Sequence, residues 1–384
     1  MDGTQIPLHI AFVTNMCTHY VIRLFEILSQ RYSIDFYFTG GFENYWEKKN
    51  KAWLGNFNGV YLKGFLLAPK LKFTPGLFRL GFMKSYTIFI KTLDDRFALF
   101  FIFSLAKIFR KPFVLWTGIW SHPLTFFHQL TFKITKGIYQ HSEAIIVYGE
   151  HVKRYLIGLG ISEEKIFCAP HAVDNRDFNQ DVPADEKREL KKQLGAEGRK
   201  IILYVGRLET CKGLDYLVEA ASQLEDEKPF VLFIGTGTQK DRLEEKCKAA
   251  KFPYAFLKHI LNNELYRYYA IGDIFVLPSI TTKDFKEPWG LVINEAMNQG
   301  CPVITTDAVG AAQGGLVQDG KNGFIVPEKD TNALKGAIAK LLKDESHRRQ
   351  MAQSAREDIQ SWTPEHMSSG FEQAIDFVQQ RYAL

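Results

Sequence analysis

The sequence predicts an α/β protein of two doubly wound domains, and three observations carry that prediction. Its 384 residues exceed what one ordinary core accommodates, so two domains of about 150 to 200 residues are expected. Short apolar runs of buried-strand character alternate with helical patterns over residues 7–169, and the alternation restarts at Ile201. Between the two series lies a charged stretch, Asn179 to Arg199, which contains Pro183 and reads as a linker. Strand–helix alternation of this kind implies mostly parallel sheets covered on both faces, with ligands bound beyond the carboxyl ends of the strands.

In the first series, Pro7 to Thr14 is a strand, followed by the loop Asn15-Met16-Cys17-Thr18-His19 and a helical pattern through Leu28. Ser33 to Thr39 is a second strand, ended by Gly40-Gly41, and residues 42–57 are irregular and rich in aromatics. A strand at Gly59 to Leu62 precedes a basic block; then come the strand Tyr86 to Lys91, a helix over Asp95 to Phe109 and the strand Pro112 to Thr117. A helix over 125–140, a strand at Ala144 to Tyr148, a helix over 150–159 and a strand at Lys165 to Ala169 complete the series. The second opens with the strand Ile201 to Val205, the loop Gly206 to Gly213 and a helix over Leu214 to Leu224. Phe230 to Ile234 follows, ended by Gly235-Thr236-Gly237, which reads as a turn, then a helix over 239–250. Tyr254 to Leu257, Ile274 to Leu277, Val303 to Thr305 and Gly323 to Val326 are further strands. From Asp330 the chain is helical, with a break at Thr363-Pro364 that caps and restarts a final helix.

Hydrophobic content of 46% and charged content of 24% are those of a water-soluble globular protein. Five cysteines, Cys17, Cys168, Cys211, Cys247 and Cys301, are scattered and odd in number, which points to reduced thiols and the cytoplasm. No secretion signal is visible: Pro7 to Thr14 is short and no basic region precedes it. The longest apolar stretch, Phe97 to Phe109, is too short to span a bilayer. Net charge is +5 but unevenly spread: residues 1–185 carry 21 Lys and Arg against 15 Asp and Glu, whereas residues 186–384 carry 27 against 28. Between Tyr61 and Lys111 stand ten basic residues and two acidic ones, interleaved with apolar side chains such as Phe65, Phe73, Phe78 and Phe82. Such a segment either sits on an anionic lipid surface or packs as core with its lysines snorkelling outward. Nucleic acid is not an expected partner, because the remaining chain is near neutral and carries no binding motif.

The stretch Lys286-Glu287-Pro288-Trp289-Gly290-Leu291-Val292-Ile293-Asn294-Glu295 sets two carboxylates around a loop-to-helix junction. Pro288 holds Glu287 extended, just outside a helix expected to begin near Gly290. Gly290 allows close approach of a ligand, and the N–H groups near Leu291 and Val292 form an anion site at the helix start. Glu295, about one turn further in, suits a ribose hydroxyl. A buried helix with a glutamate at each end is the alternative. Arg207 and Lys212 flank the loop after the Ile201 strand and would hold a diphosphate if strand order places that loop beside Glu287. Neither a dinucleotide fingerprint nor a Walker motif occurs.

These motifs, in the order YVGRLETCKGLDYLVEA, FVLFIGTGTQKDRLEE, NNELYRYYAIGDIFVLPS, EPWGLVINEAMNQGCPVITTDAVG and DGKNGFIVPEKD, resemble the retaining nucleotide-sugar glycosyltransferases of family 4 over roughly Ile201 to Asp330. The resemblance implies the GT-B architecture: an acceptor-binding Rossmann-like domain over residues 1–180, a donor-binding Rossmann-like domain over 181–365, a central cleft between them, and a C-terminal helix over 366–384 that crosses back to the N-terminal domain. It implies that Arg207 and Lys212 hold the donor diphosphate. It also implies that Glu287 contacts the donor sugar, Glu295 the ribose, and the backbone at Gly290, Leu291 and Val292 the phosphates. It implies no metal and no other cofactor, and a UDP- or GDP-sugar as donor; the sequence has no Asp-x-Asp motif or metal-ligand cluster. The first half departs from the family. Asn15-Met16-Cys17-Thr18-His19 replaces a glycine-rich loop, leaving Asn15 a donor-site candidate by position alone. His122 stands near the family histidine, either in the site or as a satisfied turn residue; His171 stands where glycine is common, and Lys258 where the base-binding loop often has a lysine.

The expected activity is sugar transfer, with retention, to a hydroxyl of a glycan or lipid-linked glycan in capsule or O-antigen assembly, at the inner face of the cytoplasmic membrane. Catalytic roles fall to Glu287, Arg207, Lys212 and His122. Rival expectations are an epimerase or phosphorylase of the same fold, and a non-catalytic sugar-nucleotide binding module.

Overall fold

Most sheet strands are buried along nearly their whole length, as strands covered on both faces are. In the computed structural model, which describes residues 8–40, 55–68, 71–82 and 85–382, the chain forms two compact units. One comprises residues 1–122, 126–171 and 364–384, the other residues 123–125 and 172–363.

The first unit runs β1 (His9–Thr14), α1 (His19–Arg31), β2 (Ser33–Phe38), β3 (Asn58–Tyr61), β4 (Phe65–Ala68), β5 (Leu71–Phe73), α2 (Phe78–Phe82), β6 (Ile88–Thr92), α3 (Arg96–Ile108), β7 (Phe113–Thr117), α4 (Phe126–His141), β8 (Ala144–Val147), α5 (Glu150–Gly158) and β9 (Ile166–Cys168). Seven strands form a parallel sheet in the order β3-β2-β1-β6-β7-β8-β9, while β4 and β5 make a separate antiparallel hairpin inside the basic block. The sequence reading places no strand inside that block. Successive side chains of a strand point to opposite faces. Ala11 and Val13 of β1 join a cluster with Leu77, Leu80, Ile102, Leu105, Ile138, Tyr139, Val152 and Leu156, which holds α2 to α5 on one face. Phe12 points the other way, with its ring 5.3 Å from Phe25 and 6.0 Å from Phe371.

The second unit runs α6 (Asn175–Phe178), α7 (Ala184–Gln193), β10 (Ile201–Val205), α8 (Leu214–Ser222), β11 (Phe230–Ile234), α9 (Lys240–Ala250), β12 (Tyr254–Leu257), α10 (Asn262–Tyr269), β13 (Ile274–Leu277), α11 (Val292–Asn298), β14 (Val303–Thr306), α12 (Gly310–Gln313), β15 (Gly323–Val326), α13 (Thr331–Lys343) and α14 (Glu345–Ile359). Six parallel strands take the order β12-β11-β10-β13-β14-β15. The stretch read as a linker contains α7. Its residues are mostly strong helix formers, with Asp185 and Glu186 in the first turn and Lys191 and Lys192 in the last, which suits the helix dipole.

The divide between the units follows His171, ahead of the expected 180/181 boundary. Residues 172–180 group with the second unit because Phe178 is buried, Asn175 Nδ2 donates to Ile359 O (3.0 Å) and Gln299 Nε2 donates to Gln180 O (2.8 Å). The chain returns to the first unit as α15 (Pro364–Tyr382), which packs on α1, β8 and β9. Gly370 lies flat on Cys168, and Phe371, fully buried, packs edge-on to Trp116 at 5.2 Å.

Candidate active site

The second sheet has its topological switch between β10 and β13, which pair in parallel through Ile202–Ile274 and Leu203–Phe275. Chain order reverses direction there, so the loops that leave the two strands stand side by side and open a crevice. Strand order thus brings the Gly206–Gly213 loop beside Glu287. Ile280 N–H donates to Cys211 O (2.9 Å) and locks the two loops together. Gly213 makes this possible: at φ 63° it sits in the left-handed region, and a Cβ there would lie 2.0 Å from Pro278 O.

Lys212 and Glu287 meet in this crevice. Their side chains form an ion pair, both nearly buried, with exposures of 9% and 7%. Ser279 Oγ donates to the same carboxylate at 3.0 Å, and the Lys212 ammonium lies 5.6 Å from the Phe285 ring centroid. Arg207 is exposed on the same loop, and its carbonyl accepts from Tyr204 Oη (2.6 Å). The Cys211 thiol reports the charges around it. Burial pushes its pKa up, Lys212 and Arg207 pull it down, and Glu287 pushes it up.

Glu287 is extended, as Pro288 requires, and bridges to Val309; its carbonyl accepts from Gly310 N–H (3.1 Å). The helix after it begins at Val292, two residues past Gly290. At φ 92° Gly290 cannot join a right-handed helix, and a Cβ there would lie 2.7 Å from a Leu277 methyl. Ile293 N–H turns back to Gly290 O (2.9 Å) and Glu295 N–H to Leu291 O (3.2 Å). Glu295 is buried on α11 and accepts from Tyr269 Oη (2.7 Å). Burial pushes its pKa up to about 7, against the pull of that hydrogen bond, so near neutrality it can accept or donate toward a hydroxyl.

Of the expected site residues, Arg207, Lys212, Glu287, Gly290, Leu291, Val292 and Glu295 lie on the switch-point loops and α11 of the second unit. His122 and Asn15 belong to the first unit. His122 Nε2 is hydrogen-bonded to His128 O at 2.8 Å and its ring packs on Phe132 at 4.2 Å, the arrangement of a turn histidine at the start of α4. Asn15 follows β1, where its N–H donates to Asp94 Oδ2 (3.0 Å). His171 is buried against Tyr148 (4.5 Å), and burial lowers its pKa to about 3. Lys258 is exposed beyond β12. Sequence reasoning missed Ser279 and Tyr269, whose hydroxyls orient the two glutamates. Each lies within or beside an apolar run, and the polar atom there was the available signal. Among the described residues no group of three or more His, Cys, Asp and Glu could hold a metal ion.

Residues 186–358 match the family described as glycosyl transferases group 1. A sulfoquinovosyl transferase of Arabidopsis thaliana is 26% identical over 271 residues, covering 67% of this chain and 50% of its own length. The chain therefore spans about half the length of such curated relatives. Among solved structures, HepE of Anabaena in complex with UDP and glucose is similar with a TM-score of 0.76 at 17% identity, covering 96% of this chain and 99% of that one. A lipopolysaccharide outer core galactosyltransferase, WaaB, is similar with a TM-score of 0.68 at 17% identity, covering 96% and 99%. With its switch-point crevice and its two parallel sheets of seven and six strands, the chain has the GT-B fold, and most of its second unit matches the glycosyl transferases group 1 family.

Proposed function

We propose that the chain is a retaining glycosyltransferase that moves a sugar from a UDP- or GDP-sugar to a hydroxyl of a glycan acceptor, without a metal ion. The carrying observation is the buried Lys212–Glu287 pair at the β10/β13 switch point. A nucleoside diphosphate entering the crevice draws the Lys212 ammonium to its phosphates, with Arg207 as second cation, and frees Glu287 to accept hydroxyls of the donor sugar. Glu295 takes the ribose. The two fixed cations stabilise charge growing on the departing diphosphate, and the loops hold donor and acceptor oxygen for attack on the face the diphosphate leaves. The acceptor is a lipid-linked glycan of cell-surface polysaccharide assembly. Similarity to WaaB, described as a lipopolysaccharide galactosyltransferase, and the basic first half support this. Five free cysteines and the lack, among described residues, of a helix long and apolar enough to cross a membrane are compatible with action on the cytoplasmic side.

Thermal stabilisation across UDP-, GDP-, ADP- and dTDP-sugars tests the donor site, since a ligand of the native state raises apparent stability. A shift with one nucleotide family, lost in Arg207→Ala, is expected; nucleotide release that depends on added acceptor and survives a chelator completes the test. Turnover without acceptor, or a shift indifferent to Arg207→Ala, would overturn the proposal.

A further inference from the structure

Helix α4 presents the wrong side of itself to water. Its sixteen residues bury Ile138 and Tyr139 against the sheet, yet Phe126, Leu130 and Ile134, spaced by four, are exposed by 82%, 68% and 49%. At 3.6 residues per turn these three fall on one outward stripe. A soluble helix normally turns charged residues to that side, and large apolar side chains standing together on a surface mark a contact. The helix contains no Asp or Glu. Lys133 is exposed and borders the stripe, three residues on from Leu130, and Lys136, half-buried, lies further round on the flank of the helix. Outward apolar anchors edged by lysines, with no acidic residue between, match the chemistry of an anionic lipid surface: tails below, phosphates at the rim.

Neighbouring elements extend the pattern. Helices α2, α3 and α4 contribute to one core cluster and therefore cover the same face of the sheet. On that face Phe78 and Arg79 of α2 are exposed, as are Lys63 and Phe65 at the β4 end. Much of the segment 61–111, which the sequence leaves open between a lipid surface and core, is interior. Lys91 is fully buried, Leu77 and Leu80 are core, and Phe97 packs on Phe73 at 4.8 Å. The exposed anchor of greatest extent is thus a helix outside that segment.

We infer that α4 docks the protein on an anionic bilayer, Phe126, Leu130 and Ile134 entering the interface and Lys133 and Lys136 meeting lipid phosphates. The inference rests on surface geometry and stands apart from the proposed reaction. Co-sedimentation of the full chain with vesicles of phosphatidylcholine plus phosphatidylglycerol, and of phosphatidylcholine alone, tests it. The wild type is expected to partition onto the anionic vesicles and much less onto the neutral ones, with binding falling as salt is raised. F126S/L130S/I134S should lose at least about tenfold in partitioning. K133E/K136E should lose about 25-fold or more, each lysine near a charged surface contributing roughly fivefold. Both variants change side chains at the surface, and an unchanged melting temperature together with an unchanged donor-induced shift would show that fold and donor site are intact. Equal partitioning of wild type and F126S/L130S/I134S overturns the inference, as does a wild type that ignores anionic vesicles. A dimer in sedimentation velocity that the triple substitution abolishes, with no vesicle binding by the monomer, overturns it in favour of a second copy as occupant.

Discussion

Each unit carries a buried lysine paired with an acid at its topological switch point, and the two pairs are built differently. In the first unit Lys91 stands at the end of β6 beside β1, wholly buried, and pairs with Asp94 three residues on. Its ammonium also donates to Thr92 O (2.9 Å) and Thr92 Oγ1 (3.3 Å), while Asp94 accepts from Asn15 N–H (3.0 Å) and from the Thr92 hydroxyl. Every polar group there has a local partner, and the pair ties the end of β1 to the end of β6. In the second unit Lys212 and Glu287 come from different loops, 75 residues apart, and the Ser279 hydroxyl donates to the same carboxylate. A pair that closes on its own strand is a structural rivet; a pair that spans two loops can be opened by a ligand. Location at a switch point therefore does not by itself mark a site, and what distinguishes the two is whether the pair closes within one segment or spans two loops.

Removing the lysines one at a time should split along that line. Lys91→Met strands the Asp94 carboxylate and leaves the β1–β6 junction without its cation, and losing one partner of a buried pair costs roughly 3–5 kcal/mol. Denaturant unfolding should show that loss, while the fraction that stays folded keeps the wild-type kcat. A stable, inactive Lys91→Met protein would place chemistry in the first unit instead.

Lys212→Ala should do the reverse. Loss of one fixed cation at a departing diphosphate lowers kcat/KM by about 10²–10³, roughly 3–4 kcal/mol of transition-state stabilisation. Stability should fall less than in Lys91→Met, because Ser279 still holds Glu287 and the crevice edge lets water in. Ser279→Ala sharpens the comparison: a buried hydroxyl bond of this kind contributes about 1 kcal/mol, or close to a threefold to tenfold change in kcat/KM, if Ser279 orients Glu287 for the sugar. An unchanged kcat/KM with a lowered melting temperature would reduce Ser279 to packing.

The two pairs also differ in how far they could be read from sequence. Glu287, Gly290 and Glu295 were legible because local rules act on contiguous residues: Pro288 extends the residue before it, and a glycine at positive φ holds back the start of the next helix. Arg207 and Lys212 were legible only conditionally, since their meaning depended on β10 lying beside β13. The alternation of strands and helices made the two sheets readable, but not the order of strands within them. Lys91 could be read as the end of a strand and as one charge of a basic block, but not as a buried cation, because sequence counts charges without burial, and the partner that neutralises it lies in the adjoining loop. Helix α7 was hidden for the same reason: a run of charged and polar residues resembles a linker until its order, acids first and bases last, is weighed. Ser279 and Tyr269 offered only a polar atom within or beside an apolar run, a signal without a role until its partner further along the chain is known.

Titration gives the finest test, since each unit buries one group that opposes its own ionisation. In the first unit burial lowers the pKa of His171 to about 3 from an ordinary 6.5. Between those values the unfolded chain binds the proton and the native unit does not, so this group makes stability rise with pH across that window and weakens the fold as pH falls below about 6.5. In the second unit burial raises Glu295 from 4.5 to about 7. Here the native state holds the proton that the unfolded chain releases, so stability from this group falls as pH rises from about 4.5 to about 7 and is at its lowest above pH 7. The full shift corresponds to roughly 3 kcal/mol. Glu295→Gln keeps an oxygen for the Tyr269 hydroxyl and removes the charge, at a cost of about 1–2 kcal/mol for an amide hydrogen without a partner. The variant should therefore be about 1–2 kcal/mol more stable than wild type at about pH 8, lose that advantage near pH 5, and bind donor more weakly at both. Denaturant midpoints at the two pH values, with donor-induced shifts alongside, provide the measurement. A stability difference independent of pH would mean that Glu295 is ionised in the native protein throughout, and that its carboxylate is balanced by something other than the Tyr269 hydroxyl.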